Sequence, residues 1–235
     1  MNIGGLQKLT LLDYPDHVAA IIFTQGCNFR CHFCYNPKLV VPQSTKIQKD
    51  YPEITEDGLF GFLQSRQSKL DAVVITGGEP TLHADLPEFL ERIKEMGFLI
   101  KLDTNGTNPA MLGNLMNQKL IDYIAMDIKA PLDNYEKVVG VKTPLKNIQD
   151  SIIIIKEGSL PYEFRSTIMP ALHQLADIQK MGELIIGADK WYLQKFKSNI
   201  DLVDHRFVNK SFFTDEQMHE LAQLAAKYVK FVGVR

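Results

Sequence analysis

The chain has 235 residues, 45% of them apolar and 23% charged, and its 26 basic and 28 acidic side chains give a formal net charge of −2. This suits a globular protein with a core large enough to stand without staples, and it excludes a general attraction to nucleic acid or an anionic membrane surface. No apolar run approaches the ~20 residues of a membrane span, and the first residues lack the basic and apolar regions of a secretion signal, so a cytoplasmic protein is expected.

Along the chain, short apolar β-branched runs alternate with breaks and helical stretches, the pattern of parallel strands joined by helices. Residues 1–16 read as an extension. The first strand, 17–24, runs into a loop at 26–36 that contains Cys27, Cys31 and Cys34. The second, 71–76, ends in Gly77-Gly78-Glu79-Pro80, and Asp85 with Pro87 and Glu88 opens a helix after it. The third, 98–103, ends in Asp103-Thr104-Asn105-Gly106, followed by a helix start at Asn108-Pro109. The fourth, 123–127, leads into Asp127-Ile128-Lys129. Thr143-Pro144 opens a helix with Leu145, Ile148, Ile152 and Ile155 on one face, ending near Gly158. The fifth strand, 162–168, carries Arg165, and the sixth is 190–194. Thr214 and Gln217 form a capping box for a helix that reaches about residue 228, and 229–234 makes a last short strand. Six such units build a partial barrel or a doubly wound sheet, and both put chemistry at the carboxyl ends of the strands. The expectation is an α/β chain with parallel strands in a partial (β/α)6 TIM-like barrel, one domain over residues 1–235.

Three cysteines, all within eight consecutive residues, argue against a disulfide framework and for one shared task in a reducing compartment. Thiolates suit zinc or an iron–sulfur cluster. Closed structural zinc needs four ligands, and His32, between two of the cysteines, is poorly placed to be the fourth. Three thiolates on a cubane leave one iron open to a further ligand.

Cys27-x3-Cys31-x2-Cys34 resembles the signature of the radical S-adenosylmethionine superfamily. The segments Gln7–Pro15, Phe23–Cys31 and Cys34-Tyr35-Asn36-Pro37 look like the glycyl-radical-enzyme activases, of the anaerobic ribonucleotide reductase and pyruvate formate-lyase types. The resemblance implies a [4Fe–4S] cluster on Cys27, Cys31 and Cys34. It also implies that S-adenosylmethionine is cleaved to methionine and a 5′-deoxyadenosyl radical. No side chain is expected to act as a catalytic acid or base, because the cofactor carries the reactive chemistry. The implied cofactor-binding residues are Phe33 and Tyr35 beside the adenine; Gly77, Gly78 and Glu79 at the methionine ammonium; and Asp103, Thr104, Asp127, Lys129 and Arg165 around its carboxylate. A histidine frequent in activases after the sixth strand is missing here. Lys129 can pair with the carboxylate, while Asp103 and Asp127 would repel it without compensation, so a small cation near those two acids is a further expectation. Arg165 reaches the same carboxylate or makes a structural ion pair.

The implied partners are a glycyl-radical enzyme as protein substrate and a flavodoxin- or ferredoxin-type reductant, with neither nucleic acid nor membrane. The alternatives are a small-molecule radical enzyme resembling the deazaguanine-forming synthases, a zinc-binding module and an iron–sulfur scaffold.

Overall fold

Strand formation follows the apolar β-branched runs. In a computed structural model, which describes residues 1–40 and 54–235, these runs fall into two compact units. The first comprises Met1–Asn28, Lys38–Thr104 and Ala110–Ile124, the second Phe29–Pro37, Asn105–Pro109 and Ala125–Arg235.

In the first unit β1 (Ile3–Thr10) runs antiparallel to β2 (Ala19–Thr24), which is parallel to β3 (Ala72–Gly77), itself parallel to β4 (Leu99–Thr104). The sequences AAIIFT and AVVITG are buried along almost their whole length, as strands covered on both faces must be. Tyr14, Ala19, Ile21, Ala72, Val74 and Tyr123 pack as one apolar cluster. After the cysteine loop comes α1 (Pro37–Val40). Thr55 caps α2 (Glu56–Gln64) by accepting from the Gly58 N–H. In α3 (Leu86–Glu95), Leu86, Phe89, Leu90 and Ile93 are buried on one face, the 3–4 spacing of an amphipathic helix. Leu112 and Leu115 do the same for α4 (Pro109–Asn117).

The chain passes from the first unit to the second inside β5 (Tyr123–Asp127). The second unit continues with β6 (Tyr162–Ile168), parallel to β7 (Lys190–Lys195), which is parallel to β8 (Phe231–Val234). Its helices are α5 (Tyr135–Val139), α6 (Leu145–Glu157), α7 (Leu175–Leu184) and α8 (Asp215–Ala225). Trp191 is fully buried and donates its indole N–H to Ser166 Oγ at 2.9 Å, so it is a packing residue.

The α/β class with parallel strands stands, and the six expected strands fall within two residues of their predicted bounds. The Thr214–Gln217 capping box is present, with α8 ending at Ala225. The extension over residues 1–16 contributes β1, which pairs along β2; its sequence, IGGLQKLT, has too few β-branched residues to announce a strand. One reading needs correction. Pro144 is the N-cap of α6 rather than its first residue. Among the described residues no helix is long and apolar enough to cross a membrane.

Candidate cofactor site

The glycines at the end of β3 answer to backbone crowding. Gly77 has φ of +112°, a region L side chains avoid, and a Cβ there would lie 2.4 Å from the Thr24 nitrogen. A Cβ on Gly78 would lie 1.9 Å from the Gly26 carbonyl oxygen. Gly78 N–H donates to the Thr24 carbonyl at 2.9 Å and Glu79 N–H to the Gly26 carbonyl at 2.8 Å. The two glycines thus zip this loop to the residues that immediately precede Cys27.

Glu79, 1% exposed, accepts from the Thr81 N–H at 3.1 Å, from the Thr81 hydroxyl, and from the Thr104 hydroxyl at 2.7 Å, all at Oε1. Three donors on one oxygen hold the carboxylate in a single orientation. Thr104 therefore positions Glu79. Asp103, on the same strand, accepts from Lys101 Nζ at 2.8 Å, and the Lys101 side chain is only 1% exposed. Residues two apart in a strand share a face, so β4 places this pair side by side. Lys101 was missed because a lysine two residues before an acid in an apolar run reads as ordinary edge polarity.

In the second unit the stretch Phe29–Pro37 turns back on itself, with the Cys34 N–H donating to the Cys31 carbonyl at 3.1 Å. Cys31 is buried and Cys34 half-buried, and both are thiols rather than disulfide partners. Burial pushes the Cys34 thiol pKa up, against an Asn36 backbone bond and the nearby Lys129 charge. Phe33 is buried, its ring centroid 6.2 Å from that of His173 and 5.9 Å from Lys129 Nζ. Tyr35 stacks on Phe196 at 6.2 Å and accepts from the Lys197 N–H at 2.8 Å.

Asp127 ends β5 between two cations: Arg165 Nε donates to one oxygen at 3.0 Å and Lys129 Nζ to the other at 2.9 Å. Burial alone would raise the Asp127 pKa, but the Arg165 and Lys129 charges outweigh it and hold the carboxyl at about 2. Burial likewise works against the Lys129 ammonium, yet Asp127 and then the Cys31 thiolate raise its pKa well above the usual lysine value. The triad carries a net charge of +1. Arg165 forms an ion pair with Asp127, one of the two roles expected for it.

His173 was also missed. It is 1% exposed; Nδ1 accepts from the Met169 N–H at 3.2 Å, and Nε2 lies 2.8 Å from the Lys129 carbonyl. These two bonds require a neutral ring protonated at Nε2, and burial lowers its pKa accordingly. The signal available was weak: a single histidine after Pro170 in a polar loop.

Each of the two acids near which a small cation is expected has a side-chain counter-charge, Lys101 for Asp103 and Lys129 with Arg165 for Asp127.

Comparison with known proteins gives consistent results. The family description "Radical SAM superfamily" matches residues 21–184. A Methanocaldococcus jannaschii protein, provisionally named a glycyl-radical enzyme activating enzyme, is 33% identical over 99% of this chain and 95% of its own. The pyruvate formate-lyase-activating enzyme of Staphylococcus aureus is 28% identical over 83% of this chain and 79% of its own. The structure of Streptococcus suis SuiB bound to S-adenosylmethionine superposes with a TM-score of 0.63 at 14% identity, over 90% of this chain and 48% of that one, and shows a shared fold.

Proposed function

The chain belongs to the radical S-adenosylmethionine superfamily, and from that premise we propose that it installs a radical on a backbone glycine of a partner enzyme. The end-to-end match to a protein provisionally named a glycyl-radical enzyme activating enzyme carries this reading. A [4Fe–4S] cluster and S-adenosylmethionine are the cofactors of the family, and the residues present fit them. Cys27, Cys31 and Cys34 are a soft donor set for cluster iron, one short of the four that would close it. Lys129 supports the fit, since its ammonium lies close enough to Cys31 for the two to interact electrostatically.

When bound and given one electron by a flavodoxin- or ferredoxin-type reductant, these groups would supply reductive cleavage of S-adenosylmethionine to methionine and, at the cost of one hydrogen atom from the glycine Cα, 5′-deoxyadenosine. The protein's residues bind, orient and exclude solvent. Glu79, held by Thr81 and Thr104, presents a fixed acceptor for the amino group of the methionine moiety. The Asp127–Lys129–Arg165 triad, with its net charge of +1, receives the carboxylate. Phe33 and Tyr35 would flank the adenine, and Gly77 and Gly78 set the loop that carries Glu79. Residues 1–235 act as one core domain.

The test is anaerobic. The protein is reconstituted with iron and sulfide, reduced with dithionite and given S-adenosylmethionine, alone and with a glycyl-radical enzyme. Formation of 5′-deoxyadenosine, together with a glycyl-radical signal in electron paramagnetic resonance (EPR) when the partner is present, is expected. An intact reduced cluster that cleaves nothing even with the partner overturns the reading.

A further inference from the structure

His32 lies between two of the cysteines, yet its side chain is occupied elsewhere. Nδ1 faces Asp204 Oδ2 at 2.9 Å, Nε2 lies 3.0 Å from the Lys137 carbonyl, and the ring stacks on Phe207 at 5.1 Å with planes 12° apart. The backbone on either side is held by the same distant segment. The Asp204 N–H donates to the His32 carbonyl at 3.3 Å and the Val203 N–H to the Cys34 carbonyl at 3.1 Å. Further along, the Lys197 N–H donates to the Tyr35 hydroxyl at 2.8 Å. The segment is closed at its base, where the Asn209 N–H donates to the Ser198 carbonyl at 2.8 Å. Asp204 is steadied by Arg206, whose Nε and guanidinium nitrogen donate to its two oxygens at 2.9 and 2.7 Å. From the other direction the Arg30 N–H donates to the Val139 carbonyl at 2.8 Å, at the end of α5.

We infer that residues 197–209 form a clasp on the cysteine loop, fastened through the His32–Asp204 pair, and that His32 is a positioning residue for Cys31 and Cys34. The argument is geometric. Four consecutive residues, 32 to 35, offer two backbone carbonyls, an imidazole and a phenol, and all four are taken by one excursion of the chain some 170 residues away. A loop of irregular backbone between two ligands has no ladder of its own to hold it. Cluster ligands keep their geometry, and the cluster its potential, through the hydrogen bonds and solvent exclusion of the surrounding shell. The inference rests on the cluster assignment proposed above and adds to it which part of the chain holds the ligand loop in place.

The experiment compares His32→Ala, Asp204→Ala, the double variant and His32→Gln with the parent protein, each reconstituted anaerobically. It reads iron release to a chelator, the midpoint potential of the cluster and the thermal midpoint of the apoprotein. Both alanine variants are expected to release iron about tenfold faster, with a midpoint potential shifted to more positive values as water reaches the loop. The double variant should be no worse than the worse single one, because both changes undo one clasp. His32→Gln, which keeps an N–H donor, should recover part of the retention. Iron release and potential equal to the parent's, or effects that simply add, overturn the clasp. An unchanged apoprotein midpoint beside faster iron release separates positioning of the ligands from general destabilisation. In the parent, S-adenosylmethionine should alter the EPR signal of the reduced cluster. If it does not, the family reading has failed on its own account; if it does and His32→Ala matches the parent, only the clasp has failed.

Discussion

Lys101 and Asp103 on β4, and Asp127 and Lys129 at the end of β5, are each two residues apart and joined by a bond of 2.8 or 2.9 Å. In the first pair the lysine precedes the acid inside the strand, and its side chain is 1% exposed. In the second the lysine follows the acid, beyond the strand end, and both side chains keep some solvent contact while Arg165 joins them. Order along the chain decides the difference. A partner at i−2 stays in the core and gives a neutral structural pair, whereas a partner at i+2 emerges at the carboxyl end, where ligands bind in such folds. The first pair is charge-neutral and nearly buried, whereas the second, with Arg165, keeps a net charge of +1.

The largest expected effect tests the structural pair. Lys101→Met leaves a nearly buried carboxylate without its counter-charge, which should cost about 3–5 kcal/mol of stability in urea unfolding. The further change Asp103→Leu should restore most of the loss, and a single variant as stable as the parent would break the comparison.

Acid titration probes the second pair. Asp127 has its pKa lowered from 3.8 to about 2 in the folded state. A depressed carboxyl contributes stability that is present above the unfolded value and is lost as pH falls through the folded one. Between about pH 4 and 2 the parent should therefore lose about 2 kcal/mol more than Asp127→Asn, as measured by unfolding at each pH.

Lys129→Met should weaken S-adenosylmethionine binding to the reconstituted protein about tenfold, the worth of one charge-assisted bond, as read by equilibrium titration. Lys101→Met assayed at a temperature where it remains folded should bind within about twofold of the parent. Equal losses would erase the distinction between the pairs. The smallest effect belongs to Thr104→Val, which removes the Thr104 hydroxyl donor to Glu79 and should cost about 1 kcal/mol in thermal unfolding.

Much of the site could be read from neighbours along the chain. The cysteine spacing, the Gly77–Gly78 break, the acids closing β4 and β5, and the Thr214 cap all express short-range chemistry. The choice left open for Arg165 could not be made that way, because its partner Asp127 lies on another strand. Nor could the roles of Thr104 toward Glu79 or His173 toward Lys129 and Phe33, since residues far apart in sequence meet there. β1 was hidden because its stability comes from pairing with β2 rather than from its own composition.

The cysteine spacing, the strand-end motifs and the parallel α/β pattern were legible along the chain, because thiol spacing, glycine backbone freedom and period-two burial act over a few residues. Tertiary structure alone decided which cation answers which acid, which hydroxyls aim Glu79, and that His32 turns to Asp204. Each of those choices depends on which strand ends and loops the fold brings within about 3 Å of each other, the reach of a hydrogen bond.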